Sequence, residues 1–240
     1  MSSLMKNVAR LVLLFALLEL SGCDRSQPPI AMADSGASSF TLKHNQQLAS
    51  VLNLAEQEDF IQARRGLIAE APLQPLVNAA GKTIWNPADY HFIEGQAPAT
   101  VNPSLWRQAQ LNNIRGLFKV SEGIYQLRGF DLANMTLIEG ASGWIVVDPL
   151  TTIETARQAL AFAREHLGDK PLSAIIFTHS HIDHFRVVLG IASAQEVDAG
   201  NIEIIAPSGF IEEATSENLI AGPAMTRRAS LGVFAAGLAA

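Results

Sequence analysis

The sequence predicts an α/β layered fold preceded by an N-terminal helical arm, and three observations lead to this class. Short apolar runs rich in β-branched residues recur after residue 117. Between two of these runs, residues 153–167 carry an amphipathic pattern of helical period. Before residue 117 the spacing is helical and is then broken by five prolines between residues 71 and 105. Alternation of buried strands with helices is typical of layered α/β domains.

Composition indicates a globular protein and argues against nucleic acid as a partner. The chain has 240 residues, of which 48% are hydrophobic and 17% charged, so it can bury a sizeable core. Its net charge of −6 offers no concentrated basic face for phosphates. The basic pairs Arg64-Arg65 and Arg227-Arg228 are interpreted as solvated helix faces.

The N-terminal residues predict export and lipid attachment. A basic start without acids, residues 1–10, precedes an almost uninterrupted apolar run, residues 11–20. This order is typical of a secretory signal, here residues 1–22, and the run is too short for a transmembrane helix. Residues 20–23, Leu-Ser-Gly-Cys, resemble a bacterial lipobox, which implies lipidation of Cys23 and a periplasmic, membrane-anchored lipoprotein. The alternative is a plain signal peptide with an incidental cysteine; the position of the one cysteine favours the lipoprotein.

Two segments separate this signal from the main domain. Residues 23–44 are predicted to be a flexible tether because much of this stretch is rich in Pro, Ser, Gly and Ala. Residues 45–116 are predicted to be an N-terminal helix and irregular arm. Helical spacing extends from residue 45 to residue 69, and the prolines that follow predict turns and short strands. The main domain is then residues 117–240.

Four strands are predicted in the first part of the main domain, at residues 118–120, 124–127, 135–139 and 144–147. The first two alternate in polarity and are joined by a turn that contains Gly123. The fourth is fully apolar, as expected of a strand buried on both faces, and it ends at Asp148.

The rest of the main domain alternates helix and strand. Residues 153–167 are predicted to be an amphipathic helix that Gly168 stops. Residues 174–177 form a buried strand that runs directly into a histidine-rich segment. A helix at residues 187–194 and a strand at residues 202–206 complete the pattern.

The histidine-rich segment places four candidate metal ligands within six residues: His179, His181, Asp183 and His184. Residues two apart in an extended segment point to the same side, so His179 and His181 can reach one metal ion together. Asp183 and His184 follow where the chain turns and can serve a second ion. Imidazole and carboxylate ligands suit zinc, which activates water for hydrolysis, and Asp183 is a candidate catalytic residue that would orient this water.

The remaining histidines and one aspartate are interpreted separately. His44, His91 and His166 stand alone and are interpreted as hydrogen-bonded core residues without a metal role. Asp148 ends a buried strand one helix before the cluster, and strand ends in such folds gather at one edge. We predict that its carboxylate accepts the free ring N–H of a ligand histidine. The alternative is a strand-ending Asp-Pro turn with no further role.

The order of strand, Asp148, helix, strand and residues 178–184, Thr-His-Ser-His-Ile-Asp-His, resembles the metallo-β-lactamase superfamily and implies an αββα sandwich. Further segments resemble the bacterial alkyl sulfatases that degrade dodecyl sulfate, at residues 100–108, 116–120, 124–134, 143–150 and 217–228. This resemblance implies zinc-dependent hydrolysis of alkyl sulfate esters to alcohol and sulfate. It also implies two zinc ions in the full-length family.

The resemblance further implies parts that these 240 residues do not contain. In the family, two glutamates and another histidine complete the metal site, followed by a dimerisation region and a lipid-carrier-like domain. Residues 231–240 no longer follow the family pattern. We therefore expect a chain truncated to the first half of the sandwich, with an incomplete ligand set and little or no activity alone.

A local departure follows the cluster: after the Asp-His-Phe of residues 183–185 the family has a glycine pair, where this chain has Arg186 and Val187. The bulk and positive charge of Arg186 are expected to weaken metal binding unless the side chain points away.

Two other interpretations stay open. Another hydrolase of the metallo-β-lactamase fold, such as a lactamase or a thioesterase, shares the cluster but does not explain residues 102–108 or 217–228. The second is a membrane-tethered, non-catalytic remnant. About two zinc ions per chain would indicate a completed site, and one or none would indicate a remnant.

Overall fold

The structure is a computed structural model that describes residues 36–224 and residue 227. The chain divides into two compact units after Ser38, and every helix and strand named below lies in the second. The predicted signal peptide and Cys23 lie outside the described residues, as do residues 225, 226 and 228–240. No helix in the described ranges combines the length and apolarity that a membrane span requires.

The described residues form six α-helices and nine strands. The helices are α1 (Ser39–Val51), α2 (Glu58–Arg64), α3 (Pro103–Asn112), α4 (Ile153–Leu167), α5 (Ala194–Asp198) and α6 (Phe210–Ile220). The strands are β1 (Leu67–Glu70), β2 (Leu76–Val77), β3 (Thr83–Trp85), β4 (Gly116–Ser121), β5 (Ile124–Arg128), β6 (Met135–Glu139), β7 (Trp144–Val147), β8 (Leu172–Ile176) and β9 (Glu203–Ile205). Short 3₁₀ turns lie at Pro87–Tyr90, Ile182–His184 and Val188–Gly190.

One seven-stranded sheet organises the molecule, in the order β1-β4-β5-β6-β7-β8-β9. The strands from β1 to β7 pair antiparallel with their neighbours, whereas β7, β8 and β9 run parallel. Parallel neighbours need a crossover, and α4 supplies it between β7 and β8. The fold is therefore the predicted mixed α/β layer, and the described residues contain one large sheet of the sandwich with a two-stranded ribbon, β2-β3, beside the arm.

Helix α4 covers this sheet and closes the core. Thr152 caps its N-terminus by accepting the N–H of Thr155 at 3.1 Å, and Gly168 follows its last turn as predicted. The helix face that packs inward carries small or apolar residues, namely Ala156, Ala159, Leu160 and Ala163. They join the buried side chains of the central strands, including Leu137, Trp144, Val146 and Ile175, in one hydrophobic cluster.

Two helix predictions were wrong in their extent. Residues 67–69 are strand rather than helix, because Gly66 turns the chain at φ 77° and β1 then pairs with β4. A Cβ at Gly66 would lie 2.1 Å from the Lys119 carbonyl oxygen, so the close approach needs glycine. Residues 187–194 form a short 3₁₀ turn before α5 begins at Ala194, and Gly190 in that turn packs against Ile153.

A charged contact holds two helices of the arm together. Arg107 of α3 pairs with Glu56 at 2.7 Å and with Asp59 at 3.0 Å, and its guanidinium lies 4.9 Å above the Phe60 ring. This contact joins α2 to α3, and β1 then adds the arm to the edge of the main sheet.

Replacing Gly143 by alanine is expected to destabilise the fold by about 1–3 kcal/mol, the usual cost of overpacking. A Cβ at this position would lie 2.3 Å from the carbonyl oxygen of Pro171, at the start of the β7–β8 pair. Urea unfolding measures the change. Gly36→Ala is the matched control, because a Cβ there meets no atom within 4 Å. Equal unfolding free energies for the two variants would contradict this packing.

Candidate metal centre

The predicted site residues meet at the carboxyl end of two parallel strands. β7 ends at Val147 beside Ile176, the last residue of β8. The backbone N–H of Asp148 continues the pairing by donating to the Ile176 carbonyl at 3.0 Å. Asp148 therefore lies directly beside the segment that carries the histidines, as strand ends at one sheet edge require.

Asp148 is buried and accepts three hydrogen bonds from the histidine segment. Its Oδ1 accepts from the Thr178 N–H at 2.9 Å, and its Oδ2 accepts from the Thr178 hydroxyl at 2.7 Å. The same Oδ2 lies 2.8 Å from Nδ1 of His184. A carboxylate can only accept, so the proton of this last bond belongs to Nδ1, and Nε2 of His184 takes no part in it.

Thr178 extends this orientation to a second histidine. Its single hydroxyl proton is donated to Asp148, so the oxygen accepts from Nδ1 of His179, 2.9 Å away. His179 therefore also carries its proton on Nδ1 and can present Nε2 to a ligand. The sequence predicted that Asp148 orients one histidine; the geometry couples it to two.

The structure brings all four predicted ligands together. The ring of His179 lies 4.5 Å from that of His181 and 4.1 Å from that of His184, measured between centroids. Oδ2 of Asp183 lies 3.3 Å from Nε2 of His184. The 3₁₀ turn Ile182–His184 places these last two side chains beside the histidines that precede it.

Glu217 is a fifth member of this cluster, which the sequence analysis did not single out as a site residue. Its Oε1 lies 3.0 Å from Nε2 of His181. Three phenylalanines bring its helix here: Phe210 of α6 packs 5.6 Å from Phe177 and 5.0 Å from Phe185. A lone glutamate far along the chain gives no local signal, so only the tertiary structure reveals it.

The side chains that replace the family's glycine pair are accommodated. Val187 is buried in the core cluster, and Phe185 before the pair packs against Phe177 and Phe210 and so helps to dock α6. Arg186 is exposed and forms no ion pair with Asp183 or with any other carboxylate in the described ranges. Its charge therefore faces solvent in this conformation.

The donor set fits zinc in its chemistry, since three imidazoles and a carboxylate are usual zinc ligands. In the described residues, however, no three His, Cys, Asp or Glu side chains are arranged to share one ion. Nε2 of His184 faces Asp183 and Nε2 of His181 faces Glu217, so each of these ring nitrogens already has a carboxylate neighbour.

The loop that carries Asp148 has a strained backbone. Asp148 and Leu150 adopt φ angles of 55° and 73°, a region that costs a non-glycine residue about 1–2 kcal/mol. Buried Asp131 offsets this cost, because its Oδ2 accepts from the Thr151 N–H at 2.8 Å and from the Thr155 hydroxyl at 2.6 Å. Asp131 is a second positioning residue that the sequence analysis did not single out.

The histidines outside the cluster lie on the surface. His44, His91 and His166 are all exposed, so the interpretation of buried core residues was wrong. Each stands on or beside a solvated turn or helix, where an imidazole is readily hydrated. None of them lies with the cluster.

Replacing Asp148 by asparagine is expected to lower zinc affinity by about 10–100-fold, the usual effect of removing a group that orients a ligand histidine. The amide nitrogen of asparagine cannot accept, so at least one of the bonds from Thr178 and His184 is lost. Zinc titration against a competing chelator measures this change. Asp169→Asn, which alters an exposed carboxylate, is the control and should leave the affinity unchanged. Equal affinities for the two variants would contradict the orienting role.

Comparisons with known proteins agree with the fold. Residues 128–222 match the metallo-beta-lactamase superfamily. Over 216 residues the chain is 47% identical to an (R)-specific secondary-alkylsulfatase of a Pseudomonas species. This match covers 88% of this chain and 32% of the relative. It is also 47% identical over 196 residues to a linear primary-alkylsulfatase of a Pseudomonas species, covering 81% of this chain and 29% of the relative.

A solved structure extends the match to three dimensions. The inverting sec-alkylsulfatase Pisa1 from a Pseudomonas species superposes with a TM-score of 0.74 at 49% identity, covering 80% of this chain and 30% of that one. The chain therefore spans about a third of the length of these relatives. The predicted resemblance and the predicted fold are both confirmed. This chain is an alkylsulfatase homologue of the metallo-beta-lactamase superfamily.

Proposed function

We propose that the chain carries part of the active site of a zinc-dependent sulfatase that hydrolyses alkyl sulfate esters, such as dodecyl sulfate, to alcohol and sulfate. The observation that supports this most is the histidine cluster oriented by Asp148, found in a chain 47% identical to an alkylsulfatase over 216 residues.

Hydrolysis of a sulfate ester requires an activated water and neutralisation of the charge on the sulfate oxygens. When bound, zinc supplies Lewis acidity, which polarises the ester and makes water a stronger acid. His179, His181, Asp183 and His184 would hold it. Asp148 orients the ring of His184 directly and that of His179 through Thr178, in both cases by a hydrogen bond at Nδ1. Asp183 is half-buried beside His184, where it can also accept a proton from water.

We also propose that these 240 residues by themselves release little sulfate. A catalytic zinc has typically three protein ligands and an open position, so a zinc pair needs about six. The described cluster offers four donors, and Glu217 would make five. The activity is therefore proposed for a protein that completes this donor set.

Zinc content and sulfate release from decyl sulfate test both proposals on the purified chain. We expect about one zinc per chain, and little sulfate. Turnover at an ordinary enzymatic rate, about 1–10³ s⁻¹, would contradict the second proposal while supporting the first. A chain that binds no zinc at all would contradict the metal site and favour a non-catalytic remnant. Hydrolysis of a β-lactam or a thioester instead would favour another activity of this fold.

We further propose that Cys23 is lipidated and anchors the protein at the periplasmic face of a membrane. The basic start, the short apolar run and the position of the one cysteine support this. Labelling of expressing cells with radioactive palmitate should mark the wild-type chain and not Cys23→Ser. Equal labelling of both chains would contradict the assignment.

A further inference from the structure

A cavity of about 780 Å³ lies between the N-terminal arm and the end of the β4–β5 pair. Its size is in the range of small-molecule sites. The walls come from α2, α3, the 3₁₀ turn at Pro87–Tyr90 and residues 114–134. None of the five members of the histidine cluster lines it, and neither does Asp148. It is therefore a separate cavity.

Two arginines give this cavity its charge. Arg128 ends β5 opposite Gly116, the first residue of β4, and Arg115 directly precedes that glycine. The backbones approach so closely that a Cβ on Gly129 would lie 2.4 Å from the Cβ of Arg115. Arg115 and Arg128 therefore lie at the same end of two adjacent strands, and both line the cavity.

Neither arginine forms an ion pair within 4 Å among the described residues, although nearby Glu70 acts on Arg115 and opposes the lowering of its pKa. Arg128 donates to Gln126 at 2.6 Å and lies 4.3 Å above the Phe118 ring, and no hydrogen bond involves the Arg115 guanidinium in the same ranges. Burial lowers the pKa of Arg115 and of Arg128, yet arginine stays protonated at neutral pH. A half-buried charge without a partner is costly, and an anion would relieve that cost.

The carboxylates in the cavity wall already have other partners. Asp59 pairs with Arg107 at 3.0 Å. Asp131 accepts from the Ala133 N–H, the Thr151 N–H and the Thr155 hydroxyl. No carboxylate in the wall therefore pairs with either cavity arginine, and Glu70, which acts on Arg115, is not a lining residue.

The other walls are apolar and aromatic. The Trp85 and Tyr90 rings lie 5.4 Å apart and form one wall, while Leu111, Ile114 and Leu132 contribute aliphatic surface. An apolar wall beside a charged end suits a molecule with an apolar body and a single anionic head.

We propose that this cavity binds a medium-chain alkyl anion, with its carboxylate or sulfate head on Arg115 and Arg128 and its chain against the Trp85–Tyr90 wall. Both head groups accept paired hydrogen bonds from guanidinium, so the chemistry is shared between fatty acids and alkyl sulfates. The site needs no metal and stands independently of the proposed function.

Calorimetric titration of the chain with decanoate and with decyl sulfate, below their micelle concentrations and with EDTA present, tests this proposal. Loss of a charge-assisted hydrogen bond predicts at least about 10-fold weaker binding for Arg115→Gln and for Arg128→Gln. Asn112→Asp, at an exposed lining residue, adds a negative charge while keeping the oxygen that accepts from Gln108, and should also weaken binding. Circular dichroism checks that each variant folds.

Three controls make the result specific. Arg65→Gln removes an exposed charge outside the cavity and should bind as the wild type does. His184→Ala should also bind normally, which separates this site from the metal cluster. Decanol, which has the same chain without the charge, should bind at least about 10-fold more weakly than decanoate.

Wild-type affinity in both arginine variants would overturn the proposal, and so would equal binding of decanol and decanoate. Loss of binding in His184→Ala would place the anion at the metal cluster instead. The relative affinities of decanoate and decyl sulfate decide which head group the cavity prefers. Absence of binding by either anion would overturn the site.

Discussion

Replacing His184 by alanine is expected to lower the zinc affinity of this chain by more than about 100-fold, beyond the effect of removing an orienting group. His184 is the ligand candidate that Asp148 holds directly at 2.8 Å. The substitution removes a donor nitrogen and also leaves one carboxylate oxygen of Asp148 with fewer hydrogen bonds. Zinc titration against a competing chelator measures the loss.

His91→Ala is the matched control for this prediction. His91 is exposed and lies outside the cluster, so its removal should leave zinc affinity unchanged. If His184→Ala and the wild type bound zinc equally well, the cluster at residues 179–184 could not be the metal site. A higher zinc affinity in Arg186→Gly than in the wild type, by contrast, would show that the charge of the exposed arginine weakens zinc binding.

Replacing Trp144 by alanine is expected to lower the free energy of unfolding by about 3–5 kcal/mol, the usual range for a buried aromatic residue. Trp144 begins β7, is 1% exposed and meets Tyr125 edge-on at 5.8 Å between ring centroids. Its removal opens a cavity beneath α4, in the same strand that ends at Asp148. Urea unfolding measures the loss.

Trp144→Phe separates ring packing from the indole N–H. Nε1 of Trp144 is buried and has no hydrogen-bond partner among the described residues, so phenylalanine removes no such bond there. We therefore expect Trp144→Phe to retain most of the stability that Trp144→Ala loses. Leu105→Ala, at a side chain 65% exposed, should change stability by less than about 0.5 kcal/mol. Similar losses in Leu105→Ala and Trp144→Ala would contradict the assignment of the core.

The central strands were predictable because their signals are local. The predicted bounds of β6 and β7 agree with the structure, and α4 begins and ends where its periodicity does. Each of these segments is either continuously apolar or amphipathic at one clear period, and Gly168 marks the end of the helix. Tertiary packing reinforces such patterns rather than overriding them.

The arm was predicted less well because its conformation depends on a partner. The helical spacing before residue 69 corresponds to helices α1 and α2, the second of which ends at Arg64. Gly66 then allows the chain to turn and pass close to Lys119. β1 forms because β4 offers an edge with which it can pair. The sequence of residues 67–70 alone does not predict this pairing or its register. Pairing between distant segments overrides a local helical pattern.

In the candidate metal centre, too, some residues could be recognised from local sequence and others only from tertiary contacts. The sequence by itself determined the four candidate donors of residues 179–184, because candidate ligands that are adjacent in the chain need no tertiary contact to be recognised. Only the tertiary structure decided that Asp148 orients both His184 and His179, that Asp131 holds the strained turn, and that Glu217 meets His181. These contacts join residues brought together by strand order and by the docking of α6, and such proximity leaves no trace in local spacing.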